Sequence, residues 1–498
     1  MLLSHLLPAA GLRPGLLRGD VDVVDVQSDS RRCRAGTCFV AVRGAAEDGH
    51  RYIPQALAAG ASAVVCQDAS AVPSHIPCAV LEDSRSAPGL LAQAILGWPA
   101  RKLTCIAITG TKGKSTSTYL IRAALEGAGL RVGLLGTISY QIGARSLDAP
   151  TTTPGPVELA EMMAEMVKGG CSHLVMEVSS HALDQDRTAG LDFAVAVFAN
   201  LSGDHIDYHK DKPSYIAAKR KLFESLSPRA TAVLNQDDPV SATMADAASG
   251  RKLWYGQGEG ADLRGVIRHI DYSGTDFDVV CGGRSFAVRT PMVGRHNMYN
   301  CLCALGVAAA MGLDLEAATR AVGTVKIVPG RLESVLVDAP YKVFVDYSHT
   351  DGALENVLPA IRDVEADRGA DGRPRGRVIV VFGCGGDRDR TKRPRMAKVA
   401  EELADRLIVT SDNPRTEDPQ AIVNEVVAGL SPQGLAKAEV LVDRRAAIAR
   451  AIEQAQAGDV VLIAGKGHET YQILGKRKVP FDDRVVAGEF IRRKEEGR

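Results

Sequence analysis

Short apolar runs alternate with polar turns and with stretches of helical periodicity along the whole chain. Over the first hundred residues this pattern predicts strands at 37–42 and 63–66, with a helix at 52–59 between them. After residue 103 it predicts a second series of elements, ending in a strand-like, glycine-punctuated stretch and a helix. The elements of this series are strands at 104–109, 132–135, 174–178 and 194–198, a helix at 114–125, the strand-like stretch at 266–293 and a helix at 301–311.

A third series of elements begins near residue 331. Its strands are predicted at 343–346, 378–382, 407–410, 440–442 and 460–464, and its helices at 354–364, 396–403, 421–430 and 446–455. Strand–helix alternation of this kind favours doubly wound parallel sheets, which bind ligands beyond the carboxyl ends of their strands. We therefore predict an α/β protein of three domains. These are a small α/β N-terminal domain at 1–102, a central parallel sheet at 103–330 and a C-terminal Rossmann-like, doubly wound sheet at 331–498.

Length and charge agree with this organisation and exclude some partners. At roughly 100–200 residues per domain, 498 residues predict two to four domains. Lys+Arg and Asp+Glu both number 60, so the formal net charge is zero. A protein of duplex nucleic acid or of anionic membranes usually carries a basic excess. We therefore expect neither partner, although a local basic pocket for a small anion remains compatible with the total.

Neither a membrane span nor a secretion signal is expected. No apolar run approaches the roughly 18–20 residues that a span needs. The N-terminal leucines have no basic segment before them and are interrupted by His5, Pro8 and Arg13, so we interpret them as the start of a folded domain. The ten cysteines are scattered without a Cys-x-x-Cys pair, which favours buried thiols in a reducing cytoplasm.

A glycine-rich segment, Thr-Gly-Thr-Lys-Gly-Lys-Ser at 109–115, lies between a predicted strand and a predicted helix. Gly110 and Gly113 let backbone N–H groups curl round phosphate oxygens, and the helix N-terminus adds its dipole. Lys114 can bridge the β- and γ-phosphates, and Ser115 offers a hydroxyl to Mg²⁺. An ordinary glycine-rich turn is the alternative, because Ile108 stands where a full P-loop has glycine. The placement of lysine and serine favours ATP binding on a P-loop ATPase-like central sheet.

Two acidic segments are associated with consecutive predicted strands, the first near the end of 174–178 and the second directly after 194–198. Glu177 is embedded in an apolar run, where a charge is costly unless it is paired or bound to a metal. The segment 200–209 contains two histidines and two aspartates that suit a metal site, a hydrogen-bonded turn or a solvated loop. Beside a phosphate loop the metal interpretation becomes the favoured one, with Mg²⁺ or Mn²⁺ preferred to zinc.

These segments together resemble the Mur ligases, the ATP-dependent amide-bond-forming enzymes of peptidoglycan synthesis, and most closely their diaminopimelate-adding type. The resemblance covers nearly the whole chain. Its specific strings are Ser-Asp-Ser-Arg at 28–31, Met-Glu-Val-Ser-Ser-His at 176–181, Asn-Leu-Ser-Gly-Asp-His-Ile-Asp-Tyr-His at 200–209, Phe-Gly-Cys-Gly-Gly-Asp-Arg at 382–388, Asp-Asn-Pro-Arg at 412–415 and Gly-Lys-Gly-His-Glu at 465–469.

The resemblance implies a reaction, cofactors and partners. The enzyme would add meso-diaminopimelate to the D-Glu unit of UDP-N-acetylmuramoyl-L-Ala-D-Glu through an acyl phosphate, with ATP and Mg²⁺. It would serve cell-wall biogenesis, cell shape and cell division. Its partners would be these small molecules alone, without nucleic acid or a membrane span, and we expect a cytoplasmic monomer.

The resemblance also implies roles for individual residues around ATP. Catalytic roles fall on Lys114, Glu177, His205 and Lys219. The metal ligands would be Ser115, Glu177, His205 and Lys219, the last as a carbamate. From its own surroundings in the sequence, Lys219 would be a solvated helix lysine like Lys221. The implied ATP-binding residues are Gly110, Thr111, Lys112, Gly113, Lys114, Ser115, Thr116, Asn297, Arg331 and Asp346.

Two further sets would hold the other substrates. The UDP-sugar-peptide set is Ser28, Ser30, Ala45, Ala46, Glu47, Thr151, Thr152, Thr153, Ser179, Gln185 and Arg187. The diaminopimelate set is Arg388, Asp412, Asn413, Pro414, Arg415, Gly465 and Glu469. An arginine fork suits the distal carboxylate of diaminopimelate, which lysine lacks, and carboxylates suit its ammonium.

The sequence departs from the family pattern in three places. Lys112 stands where many members have asparagine, and Ser115 replaces the commoner threonine. The segment 345–352 also differs from the usual form, which leaves its ribose contacts less secure. The extra charge of Lys112 would lie beside the phosphates and could raise ATP affinity.

Four alternative functions stay open. They are a lysine-adding Mur ligase, a folylpolyglutamate synthetase-like ligase, a P-loop regulator that hydrolyses ATP as a switch, and a non-catalytic binder of wall precursors. The segments 28–31 and 412–415 argue against the second, and the C-terminal pocket argues against the third. The presence of Lys114, Glu177 and Lys219 argues against the fourth.

Overall fold

Buried apolar runs form the strands of a small N-terminal sheet. The computed structural model describes residues 1–44, 47–202, 206–370 and 376–497. The strand order is β1-β5-β4-β3-β2, with β1 antiparallel to its neighbour and the other pairs parallel. The elements of this part are α1 (Leu3–Ala9), β1 (Leu16–Arg18), β2 (Asp25–Gln27), β3 (Thr37–Val40), α2 (Ile53–Ala58), β4 (Ala63–Cys66), β5 (Cys78–Val80) and α3 (Ala87–Ile95), with short 3₁₀ helices at Ser30–Arg32, Gly49–Tyr52 and Pro99–Lys102.

The first half of the central region carries the phosphate loop. Its strand β6 lies between β10 and β11 and pairs with both in parallel. The elements of this half are β6 (Thr104–Thr109), α4 (Lys114–Gly127), β7 (Val132–Leu135), β8 (Ser139–Ile142), β9 (Arg145–Asp148), α5 (Pro156–Lys168), β10 (His173–Glu177), α6 (Ser180–Asp184), β11 (Phe193–Phe198), α7 (Ile206–His209), α8 (Lys212–Glu224), β12 (Thr231–Asn235), α9 (Ser241–Ala247) and β13 (Arg251–Gly256).

The second half extends the same sheet. The strand-like stretch at 266–293 forms β14 (Leu263–Asp271), β15 (Gly274–Cys281) and β16 (Arg284–Thr290), and it is followed by α10 (Arg295–Ala310) and α11 (Leu315–Gly323). The full order is β16-β15-β14-β13-β12-β11-β6-β10-β7-β8-β9. The strands are parallel from β7 to β14 and antiparallel at both edges.

The C-terminal sheet has the order β17-β18-β22-β19-β20-β21, parallel except for β17. A separate hairpin, β23–β24, follows it. The elements are β17 (Glu333–Ser334), β18 (Lys342–Asp346), α12 (Asp351–Ala370), β19 (Val378–Phe382), α13 (Lys392–Leu403), β20 (Arg406–Val409), α14 (Pro419–Val427), α15 (Pro432–Ala436), β21 (Ala438–Val440), α16 (Arg444–Gln454), β22 (Val460–Ala464), β23 (Tyr471–Leu474), β24 (Arg477–Pro480) and α17 (Asp483–Glu496).

The predicted fold class is confirmed: the protein is α/β, and its sheets are mostly parallel. Several predicted element bounds are wrong by a few residues. The helix predicted at 301–311 begins at Arg295, because a polar first turn conceals its start. The strand predicted at 440–442 is Ala438–Val440, and the hairpin β23–β24 was not predicted at all. Its strands are largely exposed, so they lack the alternation of apolar and polar positions that reveals a half-buried strand.

The arrangement of strands brings two predicted segments to the phosphate loop. Glu177 at the end of β10 is in register with Ile108, and Phe198 at the end of β11 is in register with Thr109. The segments that follow β6, β10 and β11 therefore meet at the carboxyl ends of these parallel strands. No helix in the described ranges combines the length and the apolar character that a bilayer span requires.

A wholly buried ion pair fixes the last helix to the C-terminal sheet. The Arg444 guanidinium donates to both carboxylate oxygens of Asp483, at 2.8 and 2.6 Å, and to the carbonyl oxygen of Ala464 at 3.0 Å. Neither side chain of the pair is exposed. Because a buried charge without its partner is strongly unfavourable, this pair is a structural element rather than a surface contact.

We expect Asp483→Ala to lower the free energy of unfolding by about 3–5 kcal/mol, because it leaves the Arg444 guanidinium buried and unpaired. Urea titrations followed by circular dichroism would measure this. The control is Glu316→Ala, which removes the exposed pair between Glu316 and Arg320 and should cost about 0.3–0.5 kcal/mol. Equal effects of the two substitutions would contradict the structural role.

Candidate active site

The phosphate loop is held in shape from both sides. Asn200, directly after β11, accepts from the backbone N–H of Lys112 at 2.9 Å and donates to its carbonyl oxygen at 3.1 Å. Gly113 has φ +80°, and a Cβ there would lie 2.5 Å from the Asn300 side-chain oxygen. Only glycine fits this position, where the loop turns into α4. Asn300 was not predicted, because it lies in an unremarkable apolar helix.

Lys114 is the first residue of α4, and its ammonium lies back over the loop. Its Nζ donates to the carbonyl oxygens of Gly110 and Thr111, both at 2.9 Å. These bonds place a positive charge where backbone N–H groups and a helix N-terminus converge, which is the arrangement that binds a phosphate chain. The arrangement is therefore compatible with a polyphosphate, and the binding of one by these residues stays a prediction.

Glu177 is almost completely buried at the end of β10, with 1% of its surface exposed. Its carboxylate accepts from the Thr137 backbone N–H at 2.9 Å and from the Thr137 hydroxyl at 3.1 Å. Ser115 offers a second oxygen in the same region, and its hydroxyl accepts from Arg331 at 3.1 Å. Hydroxyl and carboxylate oxygens are donors that suit Mg²⁺, so these two residues fit the implied metal.

The rest of the implied metal set is less complete. Among the described residues, no group of three or more His, Cys, Asp and Glu side chains could hold a metal. The implied ligand His205 lies outside the described residues, so its position in this set stays a prediction.

Lys219 is buried, with 1% of its surface exposed. Its Nζ donates to the carbonyl oxygen of Gly110 at 3.0 Å and lies 4.5 Å from the centre of the Tyr215 ring. The Tyr215 hydroxyl in turn lies 3.1 Å from the Thr111 hydroxyl. The interpretation of Lys219 as a solvated lysine is therefore wrong: α8 turns it under the phosphate loop, whereas Lys221 pairs at the half-buried surface with Asp184.

The central part of the UDP-sugar-peptide set forms a connected network beside Glu177. The Thr153 hydroxyl donates to the Glu177 carbonyl oxygen at 2.9 Å and accepts from the Ser179 backbone N–H at 3.0 Å. Arg187 donates to the Thr153 carbonyl oxygen at 2.9 Å and to the Gln185 side-chain oxygen at 2.8 Å. These donors and acceptors lie at the carboxyl end of β10, beside the phosphate loop.

The other two threonines of this set lie in the same loop, and one of them contacts a residue outside it. Thr151 donates to the Thr153 carbonyl oxygen at 2.9 Å, and the Thr152 hydroxyl lies 3.0 Å from that of Thr137. This second contact connects the loop to the residue that holds Glu177.

The N-terminal part of the UDP-sugar-peptide set is separate from that network. Ser28 is exposed at the end of β2, and buried Ser30 donates to the Gln55 side-chain oxygen at 3.0 Å. Glu47 accepts from the Tyr52 hydroxyl at 2.8 Å. Two members, Ala45 and Ala46, lie outside the described residues.

The C-terminal set surrounds a buried lysine that was not predicted. Lys466 has no exposed surface, and its Nζ donates to Asn413 and Glu469 oxygens at 3.0 Å each. Asn413 also donates to Glu469 at 2.8 Å. Gly465 has φ +121°, and a Cβ there would lie 2.5 Å from a carboxylate oxygen of Asp412. The strings at 412–415 and 465–469 thus form one polar cluster.

The two predicted arginines of this set differ in their surroundings. Nη1 of Arg415 donates to the Gly386 carbonyl oxygen at 2.8 Å, and the backbone of Pro414 packs closely against the same glycine. Arg388 is exposed and donates to the carbonyl oxygen of Asp387 at 2.9 Å. Arg415 is therefore held by backbone carbonyls, whereas Arg388 is exposed beside Asp387, whose carboxylate accepts from the Thr416 hydroxyl.

The remaining implied nucleotide residues lie where the central and C-terminal parts meet. Arg331 contacts Ser115, and Asp346 accepts from the Leu332 backbone N–H at 2.7 Å. Asn297 donates to the Val293 carbonyl oxygen at 2.9 Å and accepts from Asn300 at 3.0 Å. The ring of the neighbouring Tyr347 lies 5.2 Å from the Arg331 guanidinium carbon. Burial raises the pKa of Tyr347 to about 12.

His468 lies within the string at 465–469 and packs on Tyr347, with ring centres 4.9 Å apart. Burial, together with the charges of Arg331 and Arg484, lowers the pKa of His468 to about 4. Its imidazole is therefore neutral at physiological pH. This environment was not predictable from the sequence, because the histidine stands in a glycine-rich turn.

Comparisons with known proteins place the whole chain in one family. Three family sequence models match the chain. "Mur ligase family, catalytic domain" matches residues 23–98, "Mur ligase middle domain" matches 108–308, and "Mur ligase, glutamate ligase domain" matches 330–467. Together they cover well over half of the chain.

Individual relatives agree with this assignment. The UDP-N-acetylmuramoyl-L-alanyl-D-glutamate–2,6-diaminopimelate ligase of Solibacter usitatus is 42% identical, covering 95% of this chain and 94% of its own. The protein of the same name from Gloeobacter violaceus is 43% identical, covering 99% and 98%. A solved structure titled with that enzyme name is 33% identical, with a TM-score of 0.67 and 95% of each chain covered. The chain therefore belongs to the Mur ligase family.

Proposed function

We propose that this Mur ligase joins meso-diaminopimelate to the D-Glu unit of UDP-N-acetylmuramoyl-L-Ala-D-Glu at the expense of ATP. The observation that carries the proposal is the presence of a phosphate loop and a polar cluster in one chain. Arg331 donates to Ser115 of the loop at 3.1 Å, and the preceding Gly330 packs against Gly467 and His468 of the C-terminal string. The similarity over nearly the whole chain to two diaminopimelate ligases supports the choice of substrates.

The proposed reaction begins at the phosphate loop. The γ-phosphoryl group of ATP passes to the side-chain carboxylate of D-Glu, which gives an acyl phosphate and ADP. Lys114 and the backbone N–H groups of the loop hold the phosphates in line with the carboxylate, so positioning and charge neutralisation lower the barrier. Mg²⁺, held by Ser115 and Glu177 with His205 and a carbamylated Lys219, would neutralise further phosphate charge.

The second half of the reaction forms the amide bond. The free amine of the amino acid attacks the acyl carbon, and phosphate leaves from the tetrahedral intermediate. The carboxylates of Asp412 and Glu469 suit an ammonium group of the amino acid, and the guanidinium of Arg415 suits its distal carboxylate. Nη1 of Arg415 is bound by backbone carbonyls, and no other Arg415 side-chain nitrogen donates to a described residue. The guanidinium can therefore present a fixed edge to a carboxylate.

The proposal is tested by ADP release with three substrates, ATP, UDP-N-acetylmuramoyl-L-Ala-D-Glu and meso-diaminopimelate, in the presence of Mg²⁺, and the tripeptide product is identified by mass spectrometry. We expect ADP release to require all three substrates. L-Lysine in place of diaminopimelate should give little product. Equal ADP release without the amino acid or the UDP-sugar would favour a P-loop regulator that hydrolyses ATP. A preference for L-lysine over meso-diaminopimelate would contradict the proposed specificity and leave the ligase activity in place.

Three finer features belong to the same proposal. The carbamate on Lys219 is supported by its burial beside the loop and would appear as a 44 Da increment in native mass spectrometry, the mass of the added CO₂. A cytoplasmic location agrees with the ten cysteines, none of which forms a disulfide. A monomeric state remains a prediction, for which analytical ultracentrifugation is the measurement.

A further inference from the structure

Lys112 connects the phosphate loop to the C-terminal part of the chain. Its Nζ donates to the carbonyl oxygen of Gly352, in the first turn of α12. The contact joins residues 240 positions apart in the sequence. The sequence predicted a different role for this side chain, as an extra positive charge on the phosphates of ATP.

The two ends of this contact are each fixed within their own part of the protein. On one side, Asn200 holds both the N–H and the carbonyl group of Lys112, which ties the residue to the end of β11. On the other side, Asp351 accepts from Arg395 of α13 at 2.8 Å, and the Asn356 side chain donates to the Gly352 carbonyl oxygen at 2.8 Å. A movement of either part is therefore transmitted through the lysine side chain.

The chemistry of the contact suits a reversible connection. A charged N–H donor on a carbonyl oxygen makes a hydrogen bond stronger than a neutral one, yet a half-buried lysine can exchange its partner without leaving a charge in an apolar core. The Ser115–Arg331 contact joins the same two parts, but its serine belongs to the proposed metal set. Lys112 is thus a connection that lies beside the reacting groups.

We propose that Lys112 is a positioning residue that couples nucleotide binding in the phosphate loop to the position of the C-terminal domain. The proposal rests on the proposed function only in requiring that the loop bind a nucleotide. When phosphates bind in the loop, the lysine holds the start of α12 towards it, and the amino-acid cluster carried by the same domain is brought to the nucleotide. The coupling is reciprocal. If the nucleotide raises the affinity for the amino acid through this position of the C-terminal domain, the amino acid raises the affinity for the nucleotide by the same factor.

The test compares the parent protein with Lys112→Met, which keeps the length of the side chain and removes its charge. The measurements are the Kd of ADP with Mg²⁺, from isothermal titration calorimetry, and hydrogen–deuterium exchange of the segment 347–358. In the parent, ADP should slow the hydrogen–deuterium exchange of this segment. In Lys112→Met that protection should fall on the order of tenfold, the usual size of a coupling. The Kd should rise by at most about fivefold, the worth of one exposed charge contact.

Two further variants separate coupling from a general effect of charge. Lys112→Arg keeps a cationic donor and should restore the protection by ADP. Lys437→Met removes a lysine that donates to the Ala404 carbonyl oxygen at 2.6 Å within the C-terminal part, and it should behave as the parent. A merely structural role of Lys112 would leave the response of 347–358 to ADP unchanged.

Several outcomes would overturn the proposal. One is an unchanged ADP response in Lys112→Met, and another is a parent in which ADP binds without protecting 347–358. A loss of ADP binding as large as that caused by removing Lys114 would make Lys112 a phosphate ligand instead. A parent that shows the protection but forms no amide bond would contradict the proposed function and leave the coupling role in place.

Discussion

Replacing Lys114 with alanine is expected to lower kcat by about 10²–10³-fold, the effect of removing one preorganised donor from a developing charge. The ammonium lies over the loop on the carbonyl oxygens of Gly110 and Thr111, so it is already placed where the phosphates would bind. Its loss removes a charge from the transferring phosphoryl group and two bonds that shape the loop. Both effects act on the same step, the formation of the acyl phosphate.

The measurement is steady-state ADP release with all three substrates at saturation, together with the Kd of ADP. The matched control is Lys168→Ala, which removes an exposed lysine from the end of α5. The control should retain parent activity, and both variants should unfold at the temperature of the parent. Full turnover by the Lys114 variant would contradict its assigned role, and a lowered unfolding temperature would assign the loss to folding.

Replacing Arg415 with alanine is expected to remove the preference for meso-diaminopimelate over L-lysine. A charge-assisted contact to a carboxylate that loses its partner costs about 2–5 kcal/mol, which corresponds to a fall in kcat/KM for diaminopimelate of about 30-fold or more. L-Lysine has no distal carboxylate, so its own low kcat/KM should change little. The ratio of the two values should therefore approach unity.

The experiment is a competition between the two amino acids, with products separated by mass spectrometry. Arg388→Ala is the informative companion, because Arg388 is exposed and should affect the ratio less. A larger effect at Arg388 than at Arg415 would exchange their roles. An unchanged ratio in both variants would place the recognition of the distal carboxylate elsewhere.

Much of the architecture was predictable because its strands are short, apolar and bounded by turns. The strands at 104–109, 132–135, 378–382 and 460–464 have the predicted bounds, since each is buried on both faces. The exposed strands of the hairpin β23–β24 and the polar starts of several helices were not predictable in this way. Their residues contact solvent or distant parts of the chain, and neither leaves a periodic pattern.

The phosphate loop and Glu177 were recognisable as candidate site residues without the structure, because both depend on local features. A loop that must turn tightly needs its glycines at fixed spacing, and a carboxylate inside an apolar strand is conspicuous. The strings at 412–415 and 465–469 were singled out by the family resemblance, and the structure brings them together in one polar cluster.

The environments of three other lysines, in contrast to Lys114, were determined by packing between distant parts of the chain. Lys219 and Lys221 lie on one helix and are equivalent as sequence, yet packing of α8 buries the first under the loop and leaves the second in a half-buried surface pair. Lys466 became the centre of the C-terminal cluster, and Lys112 reached a carbonyl group 240 residues away. The physical reason is common to all of them: whether a flexible cation is solvated, buried or bridging depends on which distant backbone folds against it. That is set by long-range packing, which local sequence patterns do not encode.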